Sequence, residues 1–179
     1  KFSNKNLIVG DKNPHYYRFY QEIEEQFKNV KWIFLVRDIN DVALSYNKRA
    51  ANPKDAWPEE SNYVTAVEHW NSSLTKTWEH FGDRKVNNLL VCEYEKLFAY
   101  NEDYFKELVD FLDVEPSTEM HDFYRVCTQD WKQILASKTE NLDEVQLNYI
   151  NTNSQFELKK ALIEKYSPLE KEQVSIAKV

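Results

Sequence analysis

The sequence predicts an α/β fold in which a parallel sheet carries helices on both faces, followed by a helical C-terminal part. Three observations predict it. Short apolar runs, typical of buried strands, occur at 7–9, 32–36 and 88–93. Segments with apolar residues at helical spacing lie between these runs, which is the order expected of a sheet built from βα crossovers. From Pro116 onward the recognisable patterns are helical.

The first predicted strand, at 7–9, ends at Gly10-Asp11-Lys12. Pro14 then opens a helix, because proline is tolerated in a first helical turn. Aromatic and apolar side chains repeat along this helix at helical spacing, so we expect them to share one buried face. They are Tyr16, Phe19, Tyr20, Ile23 and Phe27.

The strand at 32–36 consists of five apolar or aromatic residues bounded by charge, which predicts burial on both faces. Arg37 stands where it ends, a helix from about 40 to 50 follows, and Ser45 comes eight residues after the arginine. Ligands of open α/β sheets bind beyond the carboxyl ends of the strands, where helix N-termini attract anions. At about 1.5 Å rise per residue, Ser45 lies only about 7 Å along the helix from Asn40. Arg37 and Ser45 are therefore predicted to converge on one phosphate.

The middle of the chain alternates in the same way. Residues 52–62 carry two prolines and predict a loop, and a long helix follows at 63–81. The third strand lies at 88–93, and a helix at 104–112 comes after it. The long helix has an apolar face made of Tyr63, Val67, Trp70, Leu74, Trp78 and Phe81.

The C-terminal part is predicted to be helical, and its last dozen residues to be a frayed tail. The predicted helices are 118–126, 142–149 and 156–166.

Length and composition fit a single domain with a sizeable core: the chain has 179 residues, of which 15% are aromatic. The net charge of −7 argues against general nucleic-acid binding, which depends on a basic surface. Cys92 and Cys127 provide neither a disulfide framework nor metal-ligand spacing. The sequence shows no membrane-spanning run and no signal peptide. We therefore expect a cytoplasmic protein, with a lumenal domain of a secretory-pathway enzyme as the alternative.

Three segments together resemble a known family. Arg37-Asp38, six further residues and then Ser45-Tyr46 look like the 3′-phosphate-binding motif of sulfotransferases that use 3′-phosphoadenosine 5′-phosphosulfate (PAPS). Residues 9–16 are similar to the strand-Lys-x-Pro segment of carbohydrate and tyrosylprotein sulfotransferases, and 91–97 resemble their Val-x-Tyr-Glu-x-Leu strand end. The match spans about residues 7–116.

The resemblance implies a three-layer fold of the P-loop NTPase type and transfer of a sulfuryl group from PAPS to a hydroxyl or amine acceptor. It places the 3′-phosphate on Arg37 and Ser45 and a cationic Lys12 beside the sulfuryl group. No metal is expected, because lysine and arginine can neutralise this charge. In the family the 5′-phosphosulfate loop lies N-terminal to the Lys12 segment. Residues 1–179 are thus interpreted as one sulfotransferase-like domain that lacks its first strand and that loop.

The catalytic base is less well indicated by the sequence. His15 is the candidate here, since a neutral imidazole is a competent base near pH 7, whereas related enzymes use a glutamate N-terminal to this stretch. The other histidines, His69, His80 and His121, are expected to be structural or solvated.

Two further segments are candidates for contacts around the site. Glu93-Tyr94-Glu95 either hydrogen-bond the site or cap the helix that follows. Trp131-Lys132 and Lys138 fall where the family has a late substrate or phosphate loop.

Two other functions stay open. One is a non-catalytic sulfotransferase-like binding module, and the other is a P-loop nucleotide or small-molecule kinase, although the sequence shows no Gly-x-x-x-x-Gly-Lys-Ser/Thr loop. The expected partner is a small-molecule, carbohydrate or peptide acceptor. The sequence does not indicate an oligomeric state.

Overall fold

The computed structural model is mixed α/β, mostly helical, with a small parallel sheet. It describes residues 8–58, 60–84, 86–99, 102–136 and 141–167. The elements in chain order are a 3₁₀ turn at Tyr16–Arg18, α1 (Tyr20–Gln26), β1 (Trp32–Val36), α2 (Ile39–Ala50), α3 (Tyr63–Phe81), β2 (Leu89–Glu93), α4 (Tyr94–Phe98), α5 (Glu102–Leu112), α6 (Thr118–Ala136), α7 (Glu144–Asn153) and α8 (Phe156–Tyr166).

The sheet pairs β1 with β2 in parallel, in a register that runs from Trp32 opposite Leu89 to Val36 opposite Glu93. Helices α2 and α3 form the crossover between the two strands and pack against each other. The prediction of a parallel pair joined by helices is confirmed. In the described residues the sheet has these two strands, so it is smaller than the sequence suggested.

Helices cover both faces of this sheet. On one face, Trp32, Val36, Leu89 and Val91 join the main core with side chains of α3 and α8. On the other face, Leu90 and Cys92 pack against Tyr104 of α5. Burial raises the pKa of the Cys92 thiol to about 12, so this cysteine is an unreactive core residue.

The prediction that the strand at 32–36 is buried on both faces is wrong. Ile33 and Leu35 are each 42% exposed, although their register partners Leu90 and Cys92 are buried. The described helices cover β2 more completely than β1 on this face. A five-residue apolar run therefore marked a strand correctly but did not report how much of it is covered.

The N-terminal predictions also need correction. The strand at 7–9 is wrong for the residues that are described: Ile8 and Val9 are exposed, irregular chain, and Leu7 lies outside the described residues. A strand is stabilised by pairing with a neighbour, and no pairing of Ile8 or Val9 with a described residue is present.

The helix expected after Pro14 is interrupted at Phe19, whose φ of −132° and ψ of 22° are not helical. The 3₁₀ turn before the break and α1 after it therefore do not share one continuous face. Tyr17 and Tyr20 are buried, whereas Phe19 and Phe27 are exposed. The predicted face is therefore wrong for Phe19 and Phe27, whereas Tyr16, Tyr20 and Ile23 lie in or against the main core.

The other helices agree with the sequence to different degrees. Helices α2, α3 and α8 lie as predicted, and α5 begins two residues before its predicted start. Helix α4 was not predicted, because it is a single short turn directly after a strand. Helix α6 runs to Ala136, well past the predicted end at 126. The predicted frayed tail falls almost entirely outside the described residues.

Candidate active site

The junction between β1 and α2 is fixed by contacts from helices α3 and α4 and by the N-cap of α2. The indole Nε1 of Trp70 in α3 donates to the backbone oxygen of Arg37 at 3.0 Å. The backbone N–H of Asp38 donates to Oε1 of Glu95 in α4 at 2.8 Å. The Asp38 carboxylate in turn caps α2 by accepting from the backbone N–H of Asn40 at 2.8 Å. Arg37 is thus held at the carboxyl end of the strand, beside a helix N-terminus.

The Arg37 side chain is surrounded by aromatic rings. Its guanidinium carbon lies 5.1 Å from the ring centre of Tyr94 and 5.5 Å from that of Trp131, and both contacts are within cation–π range. One Nη lies 3.5 Å from a carboxylate oxygen of Asp41, one turn into α2. The Nε–H is buried, and no described residue accepts a hydrogen bond from it. Because a buried unpaired donor is unfavourable, this cation is suited to receive an anion.

A cavity of about 170 Å³ opens beside Arg37. It is smaller than typical pockets for whole cofactors, so it fits a charged group and the reacting end of an acceptor. Its polar lining comes from four elements: Arg37 of β1's end, Tyr46 of α2, His69 of α3, and His15 and Tyr17 at the 3₁₀ turn. The apolar lining is Pro14, Phe34, Leu35, Val36, Val42, Ala66 and Trp70.

His69 is oriented inside this cavity by Tyr46. Its Nδ1 lies 3.1 Å from the Tyr46 hydroxyl. Burial, together with the positive charges of Arg18 and His15, lowers the pKa of His69 below its usual 6.5, although Glu68 opposes the shift. Burial raises the pKa of the Tyr46 phenol. At neutral pH the pair is therefore an uncharged imidazole held by a protonated tyrosine.

Two of the predicted site residues come together and two do not. Arg37 and His15 line the same cavity. Ser45 is exposed on α2, with Asp41 one turn before it, and it does not line the cavity. Lys12 is exposed before the 3₁₀ turn, where its backbone N–H donates to Asp11 at 2.8 Å. Among the described residues, no hydrogen bond or ion pair joins Lys12 or Ser45 to Arg37.

The two additional segments have mixed outcomes. Glu95 and Tyr94 contact the β1–α2 junction. Of the two roles considered from the sequence, contact with the site and capping of the next helix, these two residues have the first. Glu93 is the residue before α4 but makes no side-chain cap. Trp131 lies against Arg37 and Lys132 is exposed, whereas Lys138 lies outside the described residues.

His69, Tyr46 and Asp41 were not predicted from the sequence as residues of the site. His69 was expected to be structural or solvated, but it lines the cavity. A signal was present, since Ala66, His69, Trp70 and Ser73 repeat at helical spacing and all four line the cavity. Asp41 follows Arg37 by four residues, the spacing of a helical ion pair.

The described residues contain neither a metal-binding cluster nor a membrane-spanning helix. No group of three or more His, Cys, Asp or Glu side chains is arranged there to hold a metal ion. Within the same residues, every helix is too short or too polar to cross a bilayer.

Comparison with known proteins identifies the family. The model of the sulfotransferase family matches residues 2–119, which is more than half of the chain. The chain belongs to the sulfotransferase family. The family resemblance seen in the sequence is thereby confirmed. No curated protein sequence matches this sulfotransferase-family chain.

A solved structure shows the same fold. It is the sulfotransferase domain from the curacin biosynthetic pathway, which aligns with a TM-score of 0.52 at 20% identity. The alignment covers 79% of this sulfotransferase-family chain and 60% of that domain. This chain therefore spans about 60% of the length of the sulfotransferase domain that it matches.

Proposed function

We propose that this protein transfers a sulfuryl group from PAPS to a hydroxyl or amine acceptor. One observation carries the proposal: Arg37 has a buried Nε–H without a hydrogen-bond partner among the described residues, at the carboxyl end of β1 and beside a helix N-terminus, in a chain of the sulfotransferase family. An anion site of this kind is what a nucleotide phosphate requires, and the transfer itself depends on positioning and charge.

In the proposed complex, Arg37 and Ser45 bind the 3′-phosphate of the nucleotide. The N-terminus of α2 provides a positive dipole end beside Arg37, where the N–H groups of Asp38 and Asn40 already donate to Glu95 and to the Asp38 carboxylate. Asp41 pairs with Arg37 in the structure and competes with the phosphate for the guanidinium. We therefore propose that the carboxylate of Asp41 is displaced when nucleotide binds.

Lys12 and His15 are proposed to serve the reacting end. The Lys12 ammonium would offset charge on the sulfuryl group during transfer. The His15 imidazole lines the cavity, where the acceptor proton is released. The acceptor is proposed to be a small molecule, carbohydrate or peptide in the cytoplasm. We further propose that β1 and β2 belong to a larger parallel sheet, within a three-layer fold of the P-loop NTPase type.

The nucleotide proposal is tested by calorimetry with adenosine 3′,5′-bisphosphate and AMP. We expect clear preference for the bisphosphate. Arg37→Ala should weaken its binding about a hundredfold, because an arginine–phosphate contact is worth a few kcal/mol. Arg125→Ala is the matched control, since Arg125 pairs with Asp122 on the surface of α6, outside the cavity.

A second variant makes the test specific to this site. Asp41→Asn removes the carboxylate that lies 3.5 Å from the guanidinium. We expect it to tighten bisphosphate binding about fivefold, because such a partly exposed pair is worth on the order of 1 kcal/mol. Equal affinity for the two nucleotides contradicts the assignment of Arg37. Transfer from ATP alone favours the kinase, and nucleotide binding without transfer favours the binding module.

A further inference from the structure

The cavity beside Arg37 holds two histidines that differ in how firmly they are oriented. His15 is exposed, and the ring contacts of its imidazole are edge or tilted approaches at 6.4 Å to Tyr17 and to His69. His69 is partly buried and hydrogen-bonded through Nδ1 to the Tyr46 hydroxyl. A general base must be held in one orientation relative to the proton that it removes, and of the two cavity histidines only His69 has this support from a described residue.

The hydrogen bond also determines which nitrogen is free. If Nδ1–H donates to the Tyr46 oxygen, the lone pair of the ring lies on Nε2 and is available to accept a proton. No second hydrogen bond to the His69 imidazole is formed by the described residues. Tyr46 is itself packed edge-on against Trp57 at 4.9 Å between ring centres, which limits its movement.

We propose that His69, oriented by Tyr46, is the general base that takes the proton of the acceptor. This inference rests on the proposed sulfuryl transfer and assigns a residue to it that the family resemblance did not suggest. Tyr46 acts through His69 and is a positioning residue.

In the transfer, one bond to sulfur forms while another breaks. The acceptor oxygen forms a bond to sulfur while the bond from sulfur to the bridging oxygen of the nucleotide breaks, and that electron pair leaves with the 5′-phosphate. The acceptor proton passes to Nε2 of His69. The products are the sulfated acceptor, adenosine 3′,5′-bisphosphate and an imidazolium that releases its proton to solvent.

The charges around His69 predict its pH behaviour. Arg18 and His15 face it from the segment of the 3₁₀ turn, Tyr46 faces it from α2, and Glu68 lies beside it on α3. Burial and the two cations lower the pKa of His69. The neutral, basic form therefore persists below pH 6.5, and turnover should fall only as the pH drops through this lowered pKa.

The test measures the pH profile of kcat for sulfuryl transfer from PAPS, with binding of adenosine 3′,5′-bisphosphate as a second readout. We expect His69→Gln to reduce kcat about a hundredfold to a thousandfold, to abolish the acidic limb, and to leave bisphosphate affinity within about twofold. Tyr46→Phe should reduce kcat to a smaller extent and displace the limb. The control is His121→Gln, because His121 packs on Phe105 outside the cavity and its loss should change neither readout.

His15→Gln separates the two histidines. If His69 is the base, His15→Gln should reduce kcat less than His69→Gln does and should keep an acidic limb in the pH profile, which His69→Gln abolishes. Loss of turnover in His15→Gln together with normal turnover in His69→Gln overturns the inference and leaves the sulfotransferase proposal intact. A wild-type protein that binds the nucleotide but transfers nothing from PAPS overturns both.

Discussion

Glu24 is expected to be a determinant of stability, because its carboxylate joins three parts of the fold. It accepts hydrogen bonds from the indole Nε1 of Trp32 in β1 at 3.1 Å, from the side-chain amide of Asn88 at 3.2 Å, and from Nε2 of His80 in α3 at 2.9 Å. A carboxylate can only accept, so each partner is the donor. Glu24→Gln keeps the size of the side chain and removes its charge.

The structure gives the expected magnitude. A hydrogen bond to a charged group contributes about 1.5–3 kcal/mol and a neutral one about 0.5–1.5 kcal/mol. The amide keeps one acceptor oxygen for Trp32 and Asn88, whose bonds lose roughly 1 kcal/mol each, and it places an NH₂ group, which cannot accept, opposite His80. The Glu24 side chain is 26% exposed, and solvent screens part of this loss. The free energy of unfolding should therefore decrease by about 2 kcal/mol. In a chain of this length, that lowers Tm by about 4–8 °C.

The pH dependence makes the reasoning falsifiable. Burial opposes ionisation of Glu24, but the hydrogen bonds from His80, Trp32 and Asn88 outweigh it and lower the pKa below the ordinary value of 4.5. The contribution of Glu24 is thus fully present above pH 4.5 and is lost as the pH falls through the lowered pKa.

Urea unfolding at neutral pH and at successively lower pH is the assay. Glu25→Gln is the matched control. The exposed Glu25 side chain accepts a hydrogen bond from Gln21 and from no other described residue. The control should change stability by less than about 0.5 kcal/mol. If wild type and Glu24→Gln unfold at the same urea concentration at neutral pH, or differ equally at every pH, the reasoning is refuted.

Two other substitutions test the core and the site. Leu74→Ala, at a position with no exposure in the main core, should lower the free energy of unfolding by about 2–5 kcal/mol in urea titrations; a change below about 1 kcal/mol contradicts the described packing. Trp70→Phe removes the N–H that donates to the backbone oxygen of Arg37. It should cost about 1 kcal/mol of stability and also weaken binding of adenosine 3′,5′-bisphosphate in calorimetry, and unchanged binding shows that the bond does not position Arg37.

The sequence predicted the elements that are defined by local periodicity. Helices α2, α3 and α8 have clear apolar spacing or capping residues, and the runs at β1 and β2 are short, apolar and bounded by charge. Burial depends on what covers an element, which local sequence does not contain; Ile33 and Leu35 are therefore more exposed than predicted. The break in the helix at Phe19 was not predicted either, because aromatic residues occur both inside helices and just beyond their ends.

The site was predicted only where one residue marks the end of a strand. Arg37 was found from its position after β1, and the structure adds the aromatic rings and Asp41 around it. His69 is 32 positions further along the chain, and its place in the same cavity depends on how α3 packs against α2. Helical spacing puts His69 on one face with Ala66, Trp70 and Ser73, but which cavity that face lines is decided by tertiary packing.

The parallel pairing of β1 with β2 has a consequence for the order of folding. Trp32 and Leu89 are paired although 57 positions separate them, and contacts between distant residues form slowly. The α2–α3 hairpin is local and should form first. Tyr94 and Trp131, the two rings that flank Arg37, come still later in the chain. During synthesis, which proceeds from the N-terminus, the arginine is therefore produced before the rings that flank it and gains its full surroundings only after Trp131 has emerged.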